Sequence, residues 1–176
     1  MTRTITILFC CCVVLWVCVS QLNHYLAPFH LSLFAGGLLV SFPALRLDFR
    51  KGWWSSLLIG LLIDSSTGVA FGFHGLLFVA AHIAVFNLRG RFPREETTFG
   101  IFIALAANLA LYLVISAALI HRSPEPFEML PRLLIDLLAS EIFVLLVAGW
   151  FFALQERSLE LAGVSLRREQ RGLGLR

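Results

Sequence analysis

Long runs of apolar residues alternate with short polar segments along the chain. Six runs approach the length of a membrane-spanning helix, since a hydrocarbon core about 30 Å thick needs about 20 mostly apolar residues per crossing. They cover residues 5–22, 29–45, 53–67, 73–88, 99–120 and 131–154. The pattern predicts an all-α, polytopic membrane protein, with a six-helix transmembrane domain at residues 1–154 and a basic tail at residues 155–176.

The connections between these runs are short. Only residues 68–72 join the third and fourth predicted helices, which predicts an antiparallel hairpin. The sixth predicted helix begins at Pro131, and proline is tolerated in the first turn of a helix. In the tail, Leu159, Ala162 and Leu166 give a weak apolar face beside basic residues. The tail is therefore predicted to form either a short helix on the membrane surface or a frayed end.

Composition supports a membrane protein. Hydrophobic residues make up 59% of the 176 positions and charged residues 14%, and the mean hydropathy is +0.85. A soluble domain of this length needs far less apolar surface. The net charge is only +3 and the basic residues are scattered, so no nucleic-acid partner is expected. Membrane lipid is the expected surrounding.

The basic residues also predict an orientation. Lys and Arg accumulate in cytoplasmic loops next to membrane-spanning helices. With the amino terminus inside, all but two of the 14 Lys and Arg residues fall on the cytoplasmic side, and the exceptions are Arg122 and Arg132. Both termini are therefore predicted to be cytoplasmic.

The first predicted helix permits two interpretations. Arg3 precedes its apolar run and Cys18-Val19-Ser20 offers a cleavage site, as in a signal peptide, but the run is long for one, so a retained helix is favoured. All four cysteines lie in this segment. Adjacent cysteines point in different directions around a helix, so we interpret them as packing residues, with acylation near the inner surface as the alternative.

Enzyme signatures are absent. The chain has no glycine-rich phosphate loop, no G-x-S-x-G motif and no His-x-x-x-His zinc pair. No catalytic residue, metal site or cofactor is expected.

A stripe of small or acidic residues recurs every four positions through the third predicted helix and the turn after it. On a helix, this spacing keeps the residues on one face, where another backbone approaches closely. The stripe is therefore predicted to be a buried contact surface. Its members are Gly52, Ser56, Gly60, Asp64, Gly68 and Gly72.

Asp64 needs a compensating environment, because an aspartate at the centre of a spanning helix costs about 2.5 to 3.5 kcal/mol on insertion scales. One interpretation is an ion, proton or ligand site. The other, favoured by the small residues around it, is a hydrogen-bonded pin to the following turn, with Ser65, Ser66 or Thr67 as donors. His74, across the turn, is the best candidate partner.

Other polar residues inside the predicted helices are few. His74 and His82 lie near one face of the fourth helix, and Asn108 is in the middle of the fifth. On the sixth helix, Asp136 shares a face with Ser140, whereas Glu141 is turned away. Interhelical hydrogen bonds are the default interpretation for each, and a relay or ligand pocket is the alternative.

The third and fourth helices carry a family resemblance. Residues 60–64 read Gly-Leu-Leu-Ile-Asp, and a glycine-containing turn and an apolar helix ending at Arg89 follow. In this, and in its short length and predicted topology, the chain resembles the MreD family of rod-shape-determining membrane proteins. The positions that match the family pattern are Gly60, Asp64, Gly68 and Gly72.

The resemblance implies a non-enzymatic scaffold in the bacterial cytoplasmic (inner) membrane. MreD-like proteins work with the bitopic protein MreC and the cytoskeletal MreB in the cell-wall elongation machinery. Beside them act the RodA glycosyltransferase and a class B penicillin-binding transpeptidase, which carry out lateral peptidoglycan synthesis. The resemblance also implies a fold similar to the six-helix substrate-binding S-components of energy-coupling-factor (ECF) transporters.

The competing hypothesis is a substrate-binding subunit of a vitamin-type transporter. It predicts an outward-facing pocket near the first, third and fifth loops, lined by residues such as His24, Tyr25, His74 and His121. A scaffold instead predicts that this pocket is collapsed or filled by a partner helix.

Overall fold

The computed structural model describes residues 2–91, 97–122 and 126–164, and within these ranges the chain is helical without strands. The α-helices are α1 (Thr2–Leu26), α2 (Gly36–Arg46), α3 (Phe49–Ser66), α4 (Phe73–Leu88), α5 (Thr97–Arg122) and α6 (Pro126–Leu161). Short 3-10 helices, Ala27–Phe29 and Arg89–Arg91, follow α1 and α4. Helices α1, α5 and α6 are long and apolar enough to cross a membrane, and α4 is a shorter apolar helix. The all-helical prediction is confirmed for the described residues, and six crossings stay a prediction.

Helix α2 lies at the centre of the bundle. Every residue from Gly36 to Ala44 is buried, and α2 contacts α3, α4, α5 and α6. At Gly37 the backbone of α2 lies directly against the backbone of α5 at Ala104 and Asn108, so a side chain has no room there. The shortest α-helix is therefore the most completely enclosed.

The prediction of a helix over residues 29–45 is wrong in its first part. Phe29 ends a 3-10 helix, His30 is in the left-handed region with a φ of 55°, and residues 31–35 are non-helical. We call residues 30–35 the connecting segment. Helix α2 begins only at Gly36, because side chains from other helices bind backbone N–H groups of this segment, as described below.

Helix α6 extends past the predicted boundary at Leu154. It runs from Pro126 to Leu161, so Pro131 lies inside the helix rather than in its first turn. Leu159 and Gln155 are fully buried, and Gln155 Nε2 lies 3.6 Å from Cys12 Sγ on α1. Residues 155–161 thus belong to the helical bundle, and residues 165–176 of the predicted tail lie outside the described residues.

Helices α3 and α4 form an antiparallel hairpin joined by residues 67–72. Two close approaches define its register: Gly60 lies against the backbone of Gly75, and Gly52 lies against the ring of His82. As the chain advances along α3 toward the turn, its partners on α4 come earlier in the sequence, which is the antiparallel order. The hairpin brings Asp64 to the beginning of α4.

Candidate functional site at the α3–α4 turn

The carboxylate of Asp64 is enclosed by donors from the start of α4. Oδ2 accepts the backbone N–H groups of Gly72 and Gly75 at 2.9 and 3.2 Å. Oδ1 accepts the backbone N–H of His74 at 3.0 Å and lies 2.7 Å from His74 Nδ1. Because an ionised carboxylate only accepts hydrogen bonds, Nδ1 is the protonated nitrogen of this tautomer. One side chain therefore engages three backbone groups and an imidazole.

Electrostatics favour this arrangement. The first N–H groups of a helix have no partner within the helix, and its N-terminus carries a partial positive charge, so a carboxylate there is stabilised. Gly72, which precedes α4, has a φ of 96°, a conformation that side chains disfavour. Asp64 on α3 thus supplies the anionic cap of α4.

Two expectations for Asp64 are wrong in detail. It lies in the last turn of α3, two residues before the end of the helix, rather than at its centre. Two of the three expected local donors bond elsewhere: Ser65 Oγ donates to the Leu62 carbonyl and Ser66 Oγ to the Ile63 carbonyl. A hydroxyl at the end of a helix readily donates to a carbonyl of the preceding turn, which competes with the carboxylate.

The six-member stripe divides at the end of α3. Gly52, Ser56 and Gly60 are buried within the bundle. Gly68 and Gly72, in contrast, lie beyond the helix, and a Cβ at either position would have open space around it. The spacing of four continues in the sequence, but α3 ends at Ser66, so the residues beyond it do not share a helical face with the others.

A second polar cluster holds the connecting segment. Asp136 Oδ1 accepts the N–H of Ser32 at 2.9 Å, and Ser140 Oγ accepts the N–H of Phe34 at 2.9 Å. Asn23 bonds both backbone groups of Leu33, with distances of 2.7 Å to its N–H and 2.9 Å to its carbonyl. Helices α1 and α6 thereby replace the hydrogen bonds that a helix would have made.

Asn108 and Glu141 continue this cluster on α5 and α6. Asn108 Oδ1 accepts the N–H of Gly37 at 3.0 Å, and its Nδ2 donates to Glu141 Oε1 at 3.1 Å. Asp136 and Glu141 were predicted to lie on different faces of α6. Asp136 binds the connecting segment directly, and Glu141 binds the Asn108 side chain that holds Gly37 at the start of α2. Sequence reasoning missed Asn23, whose only signal was an amide side chain near the end of an apolar helix.

His82 lies apart from both clusters. It is fully buried beside Phe49 and Phe86, with ring centroids 5.7 and 6.0 Å away. Neither ring nitrogen forms a hydrogen bond within the described part of the chain, and the same holds for the hydroxyls of Ser55 and Ser56. No relay joins His82 to Asp64 in this geometry.

Arg89, directly after α4, binds the carbonyl end of α2. Its Nη1 donates to the Leu47 carbonyl at 2.7 Å and to the Ala44 carbonyl at 3.3 Å, and its guanidinium lies 3.5 Å from the Phe86 ring centroid. A cation at the carbonyl end of α2 is favoured by the helix dipole. Charged side chains therefore form hydrogen bonds at both ends of α4.

Two openings lie beside these elements. One is a cavity of about 310 Å³ between α1, the connecting segment and the α3–α4 turn, lined in part by Asn23, Thr67 and His74. Of the pocket residues predicted for a transporter, His74 lines it, whereas His24, Tyr25 and His121 do not. The other, the α4–α5 groove, has a volume of about 620 Å³ and an entirely apolar lining. Its walls are Leu77, Ala80, Ala81, Ala84, Val85, Leu88, Phe99, Phe102, Ile103, Ala106, Ala107, Ala110, Leu111 and Val114.

Comparison with known proteins adds no relative. No family model matches the chain, and searches of curated proteins and of solved structures find no match. The fold and site define an all-helical protein with three helices suited to a membrane and a hydrogen-bonded acidic cap between two others. The resemblance to MreD therefore stays a hypothesis drawn from the residues themselves.

Proposed function

We propose that this chain is a non-enzymatic membrane scaffold of the MreD kind in the cell-wall elongation machinery. It would hold an MreC-like bitopic protein, and through it an MreB-like cytoskeleton, near the RodA glycosyltransferase and the class B transpeptidase. The proposal places it as a multi-pass protein of the bacterial inner membrane, with six crossings and both termini in the cytoplasm.

Physical arguments support six crossings although, in the described part of the chain, only three helices are both long and apolar enough to span a membrane. Helix α2 has 11 residues, about 16 Å at 1.5 Å per residue. The connecting segment adds further length, and irregular backbone is tolerated at membrane depth where protein encloses it and satisfies its polar groups. Asn23, Asp136 and Ser140 provide that satisfaction.

The α4–α5 groove is the observation that carries the scaffold proposal. Alanines line both of its walls, including Ala80 and Ala84 on α4 and Ala106 and Ala110 on α5. Small residues allow a partner backbone to approach closely, and packing is a main source of helix association in a bilayer. We propose a single membrane-spanning helix of the bitopic partner as the occupant.

Photo-crosslinking tests this occupant. Benzoylphenylalanine is placed at Ala84 or Ala110 in the groove, and at Leu146, an exposed residue of α6, as the matched control. Each variant is co-expressed in cells with a tagged MreC-like protein. We expect the tagged adduct at both groove positions and little at Leu146. Adducts with lipid alone, or equal adducts at all three positions, would contradict the proposal.

A substrate-binding subunit of a vitamin-type transporter is the second candidate function. The cavity beside His74 favours it, because a scaffold predicts that a pocket there is collapsed or filled by a partner helix. Purification in mild detergent separates the two functions. Recovery of an ATPase pair with the chain supports the transporter, and recovery of the bitopic protein supports the scaffold.

A further inference from the structure

The cavity beside His74 has the features of a built binding site. Apolar side chains such as Val19, Leu39 and Ile63 form much of its wall. His74 is 5% exposed, lies on the cavity wall, and has its backbone N–H and Nδ1 occupied by Asp64. Its Nε2 makes no hydrogen bond to any residue that the structure describes. A polar atom without a protein partner on the wall of a mainly apolar pocket is the usual orienting group for a small ligand.

The tautomer of His74 selects the ligand's polar group. Because Nδ1 carries the proton that faces Asp64, the neutral form of the ring leaves a lone pair on Nε2, which can accept a hydrogen bond. The carboxylate also fixes the ring orientation, as a carboxylate bonded to a metal-binding histidine does. The matching ligand group is a hydroxyl or another single donor.

The cavity wall offers no opposite charge to an ionised ligand. The amide of Asn23 is occupied on both sides by Leu33, and Ser66 donates its proton to Ile63. No Lys, Arg, Asp or Glu side chain lines the cavity. An ionised ligand would lose its hydration without gaining an opposite charge, which is strongly unfavourable.

The rim of the cavity carries exposed hydroxyl side chains. Ser66 and Thr67, at the end of α3, belong to the cavity lining and are exposed, as is Ser20 on α1. A rim of hydroxyl side chains is suited to water rather than to acyl chains. Such a rim favours the entry of water-borne solutes over entry from the lipid.

We propose that this cavity binds a small neutral alcohol with an apolar body, and that His74 Nε2 accepts the hydrogen bond of its hydroxyl group. The volume of about 310 Å³ is near the lower end of small-molecule sites, so the ligand is one or two rings in size. The inference goes beyond the scaffold proposal and does not depend on it. If the second candidate function holds, it names the substrate class.

The test uses 2-naphthol as the probe and the purified full chain in liposomes at neutral pH. Equilibrium dialysis against protein-free liposomes subtracts partition into the bilayer. We expect saturable binding of 2-naphthol, and binding of naphthalene that is about tenfold or more weaker, because it leaves Nε2 unpaired. No saturable binding, or equal binding of the two compounds, would overturn the proposal.

Variants locate the bound probe. His74→Asn retains a donor for Asp64 but lacks Nε2, and we expect it to bind 2-naphthol about tenfold more weakly or worse. His82→Asn removes a buried histidine outside the cavity and is expected to bind as the unmodified chain does. Thr67→Trp, a change at the exposed rim, is expected to block the cavity and abolish binding even if His74→Asn fails to fold. Unchanged binding in Thr67→Trp would overturn the assignment.

Magic-angle-spinning NMR of ring-¹⁵N-labelled histidine adds a direct readout of the contact. We expect 2-naphthol to shift the Nε2 signal of His74 and to leave that of His82 in place. A shift of both signals, or of neither, would contradict a hydrogen bond at His74. Because the measurement contains no partner protein, its failure is distinguishable from failure of the scaffold proposal.

Discussion

Gly60 on α3 lies against Gly75 on α4 so closely that a Cβ on Gly60 would be 2.6 Å from the Gly75 Cα. The neighbour is backbone rather than a movable side chain, so the two helices would have to separate to admit a methyl group. Asp64 is one helical turn further along α3, and the same contact therefore sets its distance from the N–H groups of α4.

Gly60→Ala is expected to destabilise the protein by about 1–3 kcal/mol through overpacking. Gly68→Ala is the matched control, because nothing lies within 4 Å of a Cβ at Gly68. We expect that control to remain within about 0.5 kcal/mol. Equilibrium unfolding in mixed detergent micelles measures both variants. Gly60→Leu should also reduce recovery of the bitopic partner, and normal recovery would count against the packing interpretation.

Asp64→Asn is expected to destabilise the α3–α4 hairpin although it preserves shape. Both carboxylate oxygens accept hydrogen bonds, so the amide group of asparagine would place a donor against donors on one side. The expected loss is about 1–3 kcal/mol, the penalty for buried unpaired groups.

Asp48→Asn, just before α3, is the control for the loss of one negative charge. Asp48 makes a partly exposed ion pair with Lys51 at 3.5 Å, and ion pairs near the surface contribute about 0–1 kcal/mol. Thermal unfolding in detergent compares the two variants, and equal effects would argue against the cap at Asp64.

Ser140→Ala is expected to loosen the connecting segment. The change removes the acceptor of the Phe34 N–H and should cost about 1–3 kcal/mol. Hydrogen exchange at the Phe34 amide should accelerate, which detects the local effect directly. Ser56→Ala is the matched control, because its buried hydroxyl has no hydrogen bond within the described residues and its removal should be neutral or stabilising.

Reporter fusions test the predicted topology. Alkaline phosphatase, which is active only outside the cytoplasm, is fused after His30, Lys51, Gly72 or Gly90. Six crossings with both termini inside predict activity after His30 and Gly72 and little after Lys51 and Gly90, since basic residues flank the latter positions. Activity at all four sites, or at Lys51 and Gly90 alone, would contradict this orientation.

Local pattern was sufficient for much of the helical architecture. Apolar runs and a five-residue connection predicted α3, α4 and their hairpin. Both the length of an apolar run and the length of a turn are properties of residues that are adjacent in the sequence. The same reasoning identified Asp64 as an acidic residue that needs a compensating environment. This reasoning failed for residues 29–35. Their apolar composition predicted a helix, but hydrogen bonds from residues distant in the sequence decided the conformation.

Tertiary structure decided which partners each polar group meets. Ser32 and Asp136 are 104 positions apart, and Phe34 and Ser140 are 106 apart, so no periodicity in the chain links them. Their hydrogen bonds replace those of a helix, so α2 begins only at Gly36. By itself, the sequence determined that these segments are apolar and helical. The assembled bundle decided where a helix yields to irregular backbone, because only there do the compensating donors and acceptors come within reach.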